Sequence, residues 1–80
     1  VALVTGAARG IGAAIAEEFM RQGAKVWLTD LREQQASEAA SRLGPDAVAR
    51  RLDVREEADW SKVVEEVLAT DQHLDVVVNN

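Results

Sequence analysis

The chain has 80 residues, is 48% hydrophobic and 29% charged, and carries a formal net charge of −5. That acidic balance, without a basic stripe, argues against a nucleic-acid partner, and no apolar run approaches the roughly 20 residues of a membrane-spanning helix. The absence of Cys excludes a disulfide framework and a thiolate metal site, and Val1 has no charged segment before it to suggest a signal peptide; a cytoplasmic location is the default expectation.

Val1 to Val4 reads as a short apolar strand. The glycine-rich stretch Thr5-Gly6-Ala7-Ala8-Arg9-Gly10-Ile11-Gly12 follows it and opens into a helix over Ile11 to Gln22, where Ile11, Ile15 and Phe19 fall on one face. Gly23 sits where a helix-terminating glycine belongs. Ala24 to Thr29 forms the second strand, with Asp30 at its end. A second helix runs from about Arg32 to Leu43, with Ala36, Ala39, Ala40 and Leu43 on one side, and Gly44-Pro45 stops it.

Ala47 to Leu52 is the third strand, and the alternation at Val48, Arg50 and Leu52 predicts a position near the sheet edge. Asp53 closes it. The third helix covers about Glu56 to Ala69, with Glu56 and Glu57 suiting its N-terminus and Trp60, Val63, Val64, Val67 and Leu68 forming an apolar stripe. Leu74 to Val78 is the fourth strand, and its run of three valines predicts burial on both faces.

Strands alternating with helices of this length imply right-handed crossovers and an α/β fold with a parallel sheet. An acidic residue about two dozen positions after the first glycine fits a doubly wound, Rossmann-type βαβαβαβ unit of strand order 3-2-1-4. The first two helices then cover one face, and the third covers the other beside strands 1 and 4. The fourth strand is left with an open edge. With no initial Met and an end just past a strand, residues 1–80 are expected to be the N-terminal part of one dinucleotide-binding domain that continues beyond Asn80.

In such sheets ligands bind beyond the C-terminal strand ends, at the switch point between strands 1 and 4. Gly6 would allow a tight turn, Gly10 a close approach of phosphates to the backbone, and Gly12 close packing of the helix on the sheet. The N–H groups opening that helix, with its positive dipole end, would face a pyrophosphate. The spacing G-x-x-x-G-x-G differs from the commoner G-x-G-x-x-G, and a purely structural turn is the alternative. Asp30 can accept both hydroxyls of an adenosine ribose and would repel a 2′-phosphate, which favours NAD over NADP; its alternative role is to cap the second helix. Arg9 and Arg32 could each reach a 2′-phosphate. Asp53 could hold an adenine amino group or cap the third helix. Asn79 and Asn80 suit backbone bonding at a strand end, Asp75 suits tying down a neighbouring backbone, His73 suits a solvated loop, and Trp27 and Trp60 read as packing residues.

These residues make the chain resemble the N-terminal part of a short-chain dehydrogenase/reductase. Thr5, Gly6, Gly10 and Gly12 match that family's TGxxxGxG motif, Asp53-Val54 matches its Asp-apolar pair after the third strand, and Leu74 to Asn80 matches the run leading into its NNAG motif. Gln72 replaces a family glycine. The resemblance implies that Gly6, Ala7, Arg9 and Ile11 contact the cofactor's phosphate and ribose region, Asp30 and Leu31 the adenosine ribose, Asp53 and Val54 the adenine, and Asn80 the nicotinamide ribose. It further implies hydride transfer between NAD, with NADP the less favoured cofactor, and a small alcohol or ketone, in a full-length protein that forms a homodimer or homotetramer. The family's catalytic Ser and Tyr-x-x-x-Lys would lie downstream; this chain has no Tyr, so no catalytic residue is assigned within it. A non-catalytic cofactor sensor and a nucleotide-independent interaction domain are the rival readings.

Overall fold

A computed structural model describes residues 1–80. The elements in order are β1 (Ala2–Val4), α1 (Gly10–Arg21), β2 (Val26–Asp30), α2 (Glu33–Leu43), β3 (Ala47–Arg51), α3 (Glu57–Asp71) and β4 (Val76–Val78). All strand pairs are parallel, and the sheet order is β3-β2-β1-β4. The sequence-based architecture and order are therefore correct, with element ends displaced by at most two residues. β3 is an edge strand, as its alternation predicts.

Successive strand residues point to opposite faces, which divides the core in two. Ala2, Val4, Val26 and Leu28 face α1 and α2, where Ala16 and Ala39 are buried. The small side chains Ala36, Ala39 and Ala40 allow α2 to lie close against the sheet. On the other face, Leu3 and Trp27 pack with Leu52 and with Val63 and Val67 of α3.

That second cluster corrects the expected placement of α3. The helix does pack beside β1, through Leu3, and against Leu74 just before β4, but its cluster extends further, to Trp27 of β2 and Leu52 after β3. The physical reason is Trp27, the largest fully buried side chain, which presents its apolar area in the middle of that face. Its indole N–H donates to Asp71 Oδ2 at 2.7 Å, and the Lys25 ammonium and the Arg50 guanidinium stand 5.6 and 5.4 Å from its ring centre. Arg50 thus occupies the inward edge position of β3 with its head group paired to Glu66 at 2.6 Å.

The valines of β4 supply a second correction. Val76 and Val77 are 39% and 49% exposed rather than buried on both faces. β4 pairs only with β1. Nearby, Asp75 Oδ2 accepts a bond from the N-terminal ammonium of Val1 at 2.8 Å. His73 is exposed and lies 2.8 Å from the same carboxylate oxygen. No helix is long and apolar enough to cross a membrane.

Candidate functional site

The C-terminal ends of β1 and β4 are clasped through one hydroxyl. Thr5 is buried; its N–H donates to the Val78 carbonyl at 3.0 Å, and its Oγ1 donates to Asn79 Oδ1 at 3.1 Å and accepts the Asn80 N–H at 3.0 Å. The Asn80 side chain reaches backbone as expected, its Nδ2 donating to the Gly6 carbonyl at 3.4 Å, whereas the Asn79 side chain bonds the Thr5 hydroxyl instead. The chain then turns through Gly6 at φ +60°, a left-handed conformation that costs glycine little. The Ala7 N–H donates to the Thr29 carbonyl at 3.0 Å and the Ala8 N–H to Asp30 Oδ2 at 3.2 Å, so the first half of the loop leans on the end of β2.

Gly12 and Gly10 do different work. A Cβ on Gly12 would lie 2.1 Å from the Gly6 carbonyl oxygen and 2.8 Å from Asn80 Nδ2. The close packing expected of Gly12 is therefore against its own loop and Asn80, not directly against the sheet. A Cβ on Gly10 would meet nothing within 4 Å, although φ there is +65°. Space lies open above Gly10, as a ligand's approach requires. α1 begins without a capping side chain, Arg9 occupies its N-cap, and the N–H groups of Gly10, Ile11 and Gly12 find no acceptor in the chain. Unpaired donors at the positive end of a helix dipole are suited to an anion.

A cavity of about 210 Å³ lies alongside, lined by Gly6, Asp30, Leu31, Asp53, Val54 and Asn80 together with Leu52 and Arg55. Six of the residues singled out from sequence therefore share one cavity. Ala7 is buried beneath the loop, while Arg9, Gly10, Ile11 and Gly12 stand at the loop–helix junction and do not line the cavity. Ile11, Leu31 and Val54 are 72%, 50% and 46% exposed. A wider groove of about 600 Å³ runs between α2 and β3, but Arg50 is its only charged lining residue, and it lies away from the strand ends.

Asp30 is only 7% exposed. Its Oδ1 accepts the Arg32 N–H at 3.0 Å and its Oδ2 the Ala8 N–H at 3.2 Å; the Arg32 Nε stands 3.6 Å from Oδ1. It forms no side-chain cap to α2, whose N-cap is Arg32. Each carboxylate oxygen keeps acceptor capacity for a hydroxyl.

Asp53 likewise does not cap α3, whose N-cap is Glu56. Its Oδ1 accepts both the backbone N–H and the Nε of Arg55 at 3.0 Å, and its Oδ2 accepts Arg55 Nη2 at 3.0 Å. Those bonds, the side-chain ones foremost, hold the Asp53 carboxyl down to about 2. The loop behind it is fixed separately: the Asp53 N–H donates to Asp59 Oδ2 at 3.0 Å, and the Trp60 indole N–H donates to the Val54 carbonyl at 2.9 Å.

Arg55, Asp59 and the Thr5 hydroxyl were not singled out from sequence as site residues. An Asp followed two residues later by a free backbone N–H does signal an Asx turn, which could have pointed to Arg55. The fork between its guanidinium and Asp53 depends on side-chain direction and had no such signal. Taken together, the unpaired donors at α1, the open space over Gly10, the acceptors on Asp30 and Asp53 and the exposed apolar side chains fit a dinucleotide.

Comparison with known proteins gives a consistent picture. A profile of the short chain dehydrogenase family matches residues 1–80. A sorbitol dehydrogenase of Cereibacter sphaeroides is 43% identical over 79 residues, covering 99% of this chain and 31% of the relative. A galactitol 2-dehydrogenase of Agrobacterium fabrum is 44% identical over 80 residues, covering 100% of this chain and 31% of the relative. Among solved structures, the 3-ketoacyl-(acyl-carrier-protein) reductase from Brucella melitensis complexed with NADH superposes with a TM-score of 0.91 at 36% identity, over 95% of this chain and 31% of that one. The chain spans about a third of the length of the relatives it matches.

Proposed function

The chain belongs to the short-chain dehydrogenase family, and from that premise we propose that residues 1–80 form the N-terminal, NAD-binding part of a single Rossmann-type domain in an oxidoreductase acting on an alcohol or ketone. The observation that carries this reading is the juxtaposition of unpaired N–H groups at Gly10, Ile11 and Gly12 with the Asp30 carboxylate at the end of the neighbouring strand. Bound NAD would supply the hydride acceptor. The chain's own residues would bind and orient it: Gly6 through Gly12 at the pyrophosphate, with Ala7 shaping the loop from below, Asp30 and Leu31 at the adenosine ribose, Asp53 and Val54 at the base, and Asn80 toward the nicotinamide ribose. No residue here is given a catalytic role.

NAD over NADP follows from Asp30, whose buried carboxylate would oppose a 2′-phosphate more strongly than the exposed Arg9 and the partly engaged Arg32 would attract it. The names of two relatives make polyols the first substrates to try. A cytoplasmic homodimer or homotetramer is part of the same reading, and light scattering of the full-length protein tests the assembly. The deciding experiment follows NAD reduction at 340 nm by the full-length protein with sorbitol, galactitol and a panel of secondary alcohols. Turnover is expected; saturable NAD binding without turnover of any alcohol would favour the cofactor-sensor reading, and no NAD binding would favour an interaction domain.

A further inference from the structure

We propose that Arg55 is a positioning residue for recognition of the cofactor's base: its backbone N–H and guanidinium fix the Asp53 carboxylate so that it offers one free acceptor position, suited to an exocyclic amino group. The proposal rests on the NAD-binding reading above and goes beyond it by assigning a residue and a selectivity.

The hydrogen-bond inventory carries the first half. A carboxylate oxygen has about two acceptor positions. Asp53 Oδ1 uses both, on the Arg55 N–H and Nε, and Oδ2 uses one, on Arg55 Nη2. One acceptor position remains, on Oδ2, and Asp53 and Arg55 line the same cavity with Leu31 and Val54. The planar fork fixes the carboxylate's rotation as well as its charge, which a single ammonium would not do.

The second half is that Arg55 has little else to do. Its side chain is 77% exposed, although that of Asp53 is only 11% exposed, and an ion pair open to water on one side adds little to stability. The backbone around Asp53 is held without it, by Asp59 on the Asp53 N–H, by the Glu56 N–H on the Asp53 carbonyl at 2.9 Å, and by Trp60 on the Val54 carbonyl. What depends on Arg55 is the direction of one carboxylate. A fixed acceptor accepts a bond from the 6-amino group of adenine. It repels the 6-carbonyl of hypoxanthine, which presents an acceptor of its own at the same position.

The test compares NAD with its hypoxanthine analogue, by equilibrium binding titration (Kd) and as cofactors in turnover, for the full-length wild type, Arg55→Ala and Arg55→Lys. Wild type is expected to favour NAD. Arg55→Ala should raise KM for NAD about tenfold, the worth of one bond to a charged group, with kcat retained. The preference for NAD over the analogue should shrink by a similar factor. Arg55→Lys keeps the charge without the fork and should resemble Arg55→Ala. Wild-type KM and preference in Arg55→Ala would overturn the proposal while leaving the NAD reading intact, and full restoration by Arg55→Lys would overturn the fork as its cause. A wild type that uses neither dinucleotide would overturn the functional reading and this proposal with it.

Discussion

The Asp30 carboxylate accepts the backbone N–H of Ala8 at 3.2 Å, joining the end of β2 to the middle of the glycine loop. Asp30 therefore has two jobs, one toward the loop and one, in the proposed function, toward the adenosine ribose. The two can be separated by substitution. Asp30→Asn keeps an acceptor for Ala8 but loses the charge that opposes a 2′-phosphate. Asp30→Ala loses both. Bonds to a charged acceptor are worth roughly 1.5–3 kcal/mol each. Asp30→Asn should lose most of the NAD preference in kcat/KM while binding NADP better than wild type does. Asp30→Ala should bind both cofactors more weakly than Asp30→Asn. A wild type that already prefers NADP would show that Asp30 serves the loop alone.

Gly10 and Gly12 should both respond to added volume, but for different reasons. At Gly12 a Cβ would collide with the Gly6 carbonyl at 2.1 Å, a backbone atom in a loop held at both ends. Gly12→Ala should cost about 1–3 kcal/mol of stability, as overpacking does, and lower the melting temperature of the full-length protein. At Gly10 the space is open but φ is +65°, so Gly10→Ala should cost about 1–2 kcal/mol through backbone strain alone. Gly10→Val adds bulk where phosphates would approach and should weaken NAD binding more than tenfold, about 1.4 kcal/mol, measured by titration. Unchanged NAD affinity in Gly10→Val would remove the phosphate role from the loop.

The sequence made the sheet order legible because glycine turns and apolar runs mark each crossover, and right-handed connections leave few ways to arrange four parallel strands. It placed Gly6, Asp30, Asp53 and Asn80 at strand ends, and strand ends converge in this topology. What it did not show depends on side-chain direction and size at one place. Val77 looks like a core residue in isolation, but within residues 1–80 β4 pairs only with β1 and Val77 is 49% exposed. The adjacency of Asp53 and Arg55 was visible, whereas the bidentate geometry between them was not. Gly12 was legible as a tight contact, yet its partner, the Gly6 carbonyl, emerges only once the loop closes on itself.

Gln72 is the only residue other than glycine with a positive φ, at 70°, and it caps the C-terminus of α3. It stands where the family pattern has glycine. A left-handed conformation costs a residue with a Cβ roughly 1–2 kcal/mol, and glycine's greater freedom in the unfolded chain returns about half of that. Gln72→Gly should therefore stabilise the full-length protein by about 0.5–1 kcal/mol and raise its melting temperature by about 1–3 °C. A lower melting temperature would mean that the Gln72 side chain makes compensating contacts.

Asp71 tests the packing of the second core. It lies in the last turn of α3, where the helix dipole disfavours an anion, and its carboxylate bonds both Lys25 Nζ at 2.5 Å and the Trp27 indole N–H at 2.7 Å. Asp71→Ala leaves the N–H of a fully buried indole without a partner, which should cost about 1–3 kcal/mol. Asp71→Asn retains an acceptor and should cost less. Thermal denaturation of both variants checks the order, and equal losses would show that charge, not the indole bond, matters there.

The last expectation concerns acid. Arg55 holds the Asp53 carboxyl at about 2 in the fold, below its ordinary value of 3.8. A carboxyl depressed in the folded state contributes stability above its unfolded value and loses it as pH falls toward the folded one. Any advantage of wild type over Arg55→Ala should therefore be complete above about pH 4 and fade towards about pH 2. The advantage itself should be small, because the Arg55 side of the pair is open to water, so its direction with pH is the test rather than its size. Carbon-13 NMR of labelled Asp carboxyls gives the direct reading. The Asp53 resonance of wild type should titrate well below the usual carboxylate range, and in Arg55→Ala it should move up towards that range. An Asp53 that titrates normally in wild type would mean that the fork with Arg55 does not persist in solution.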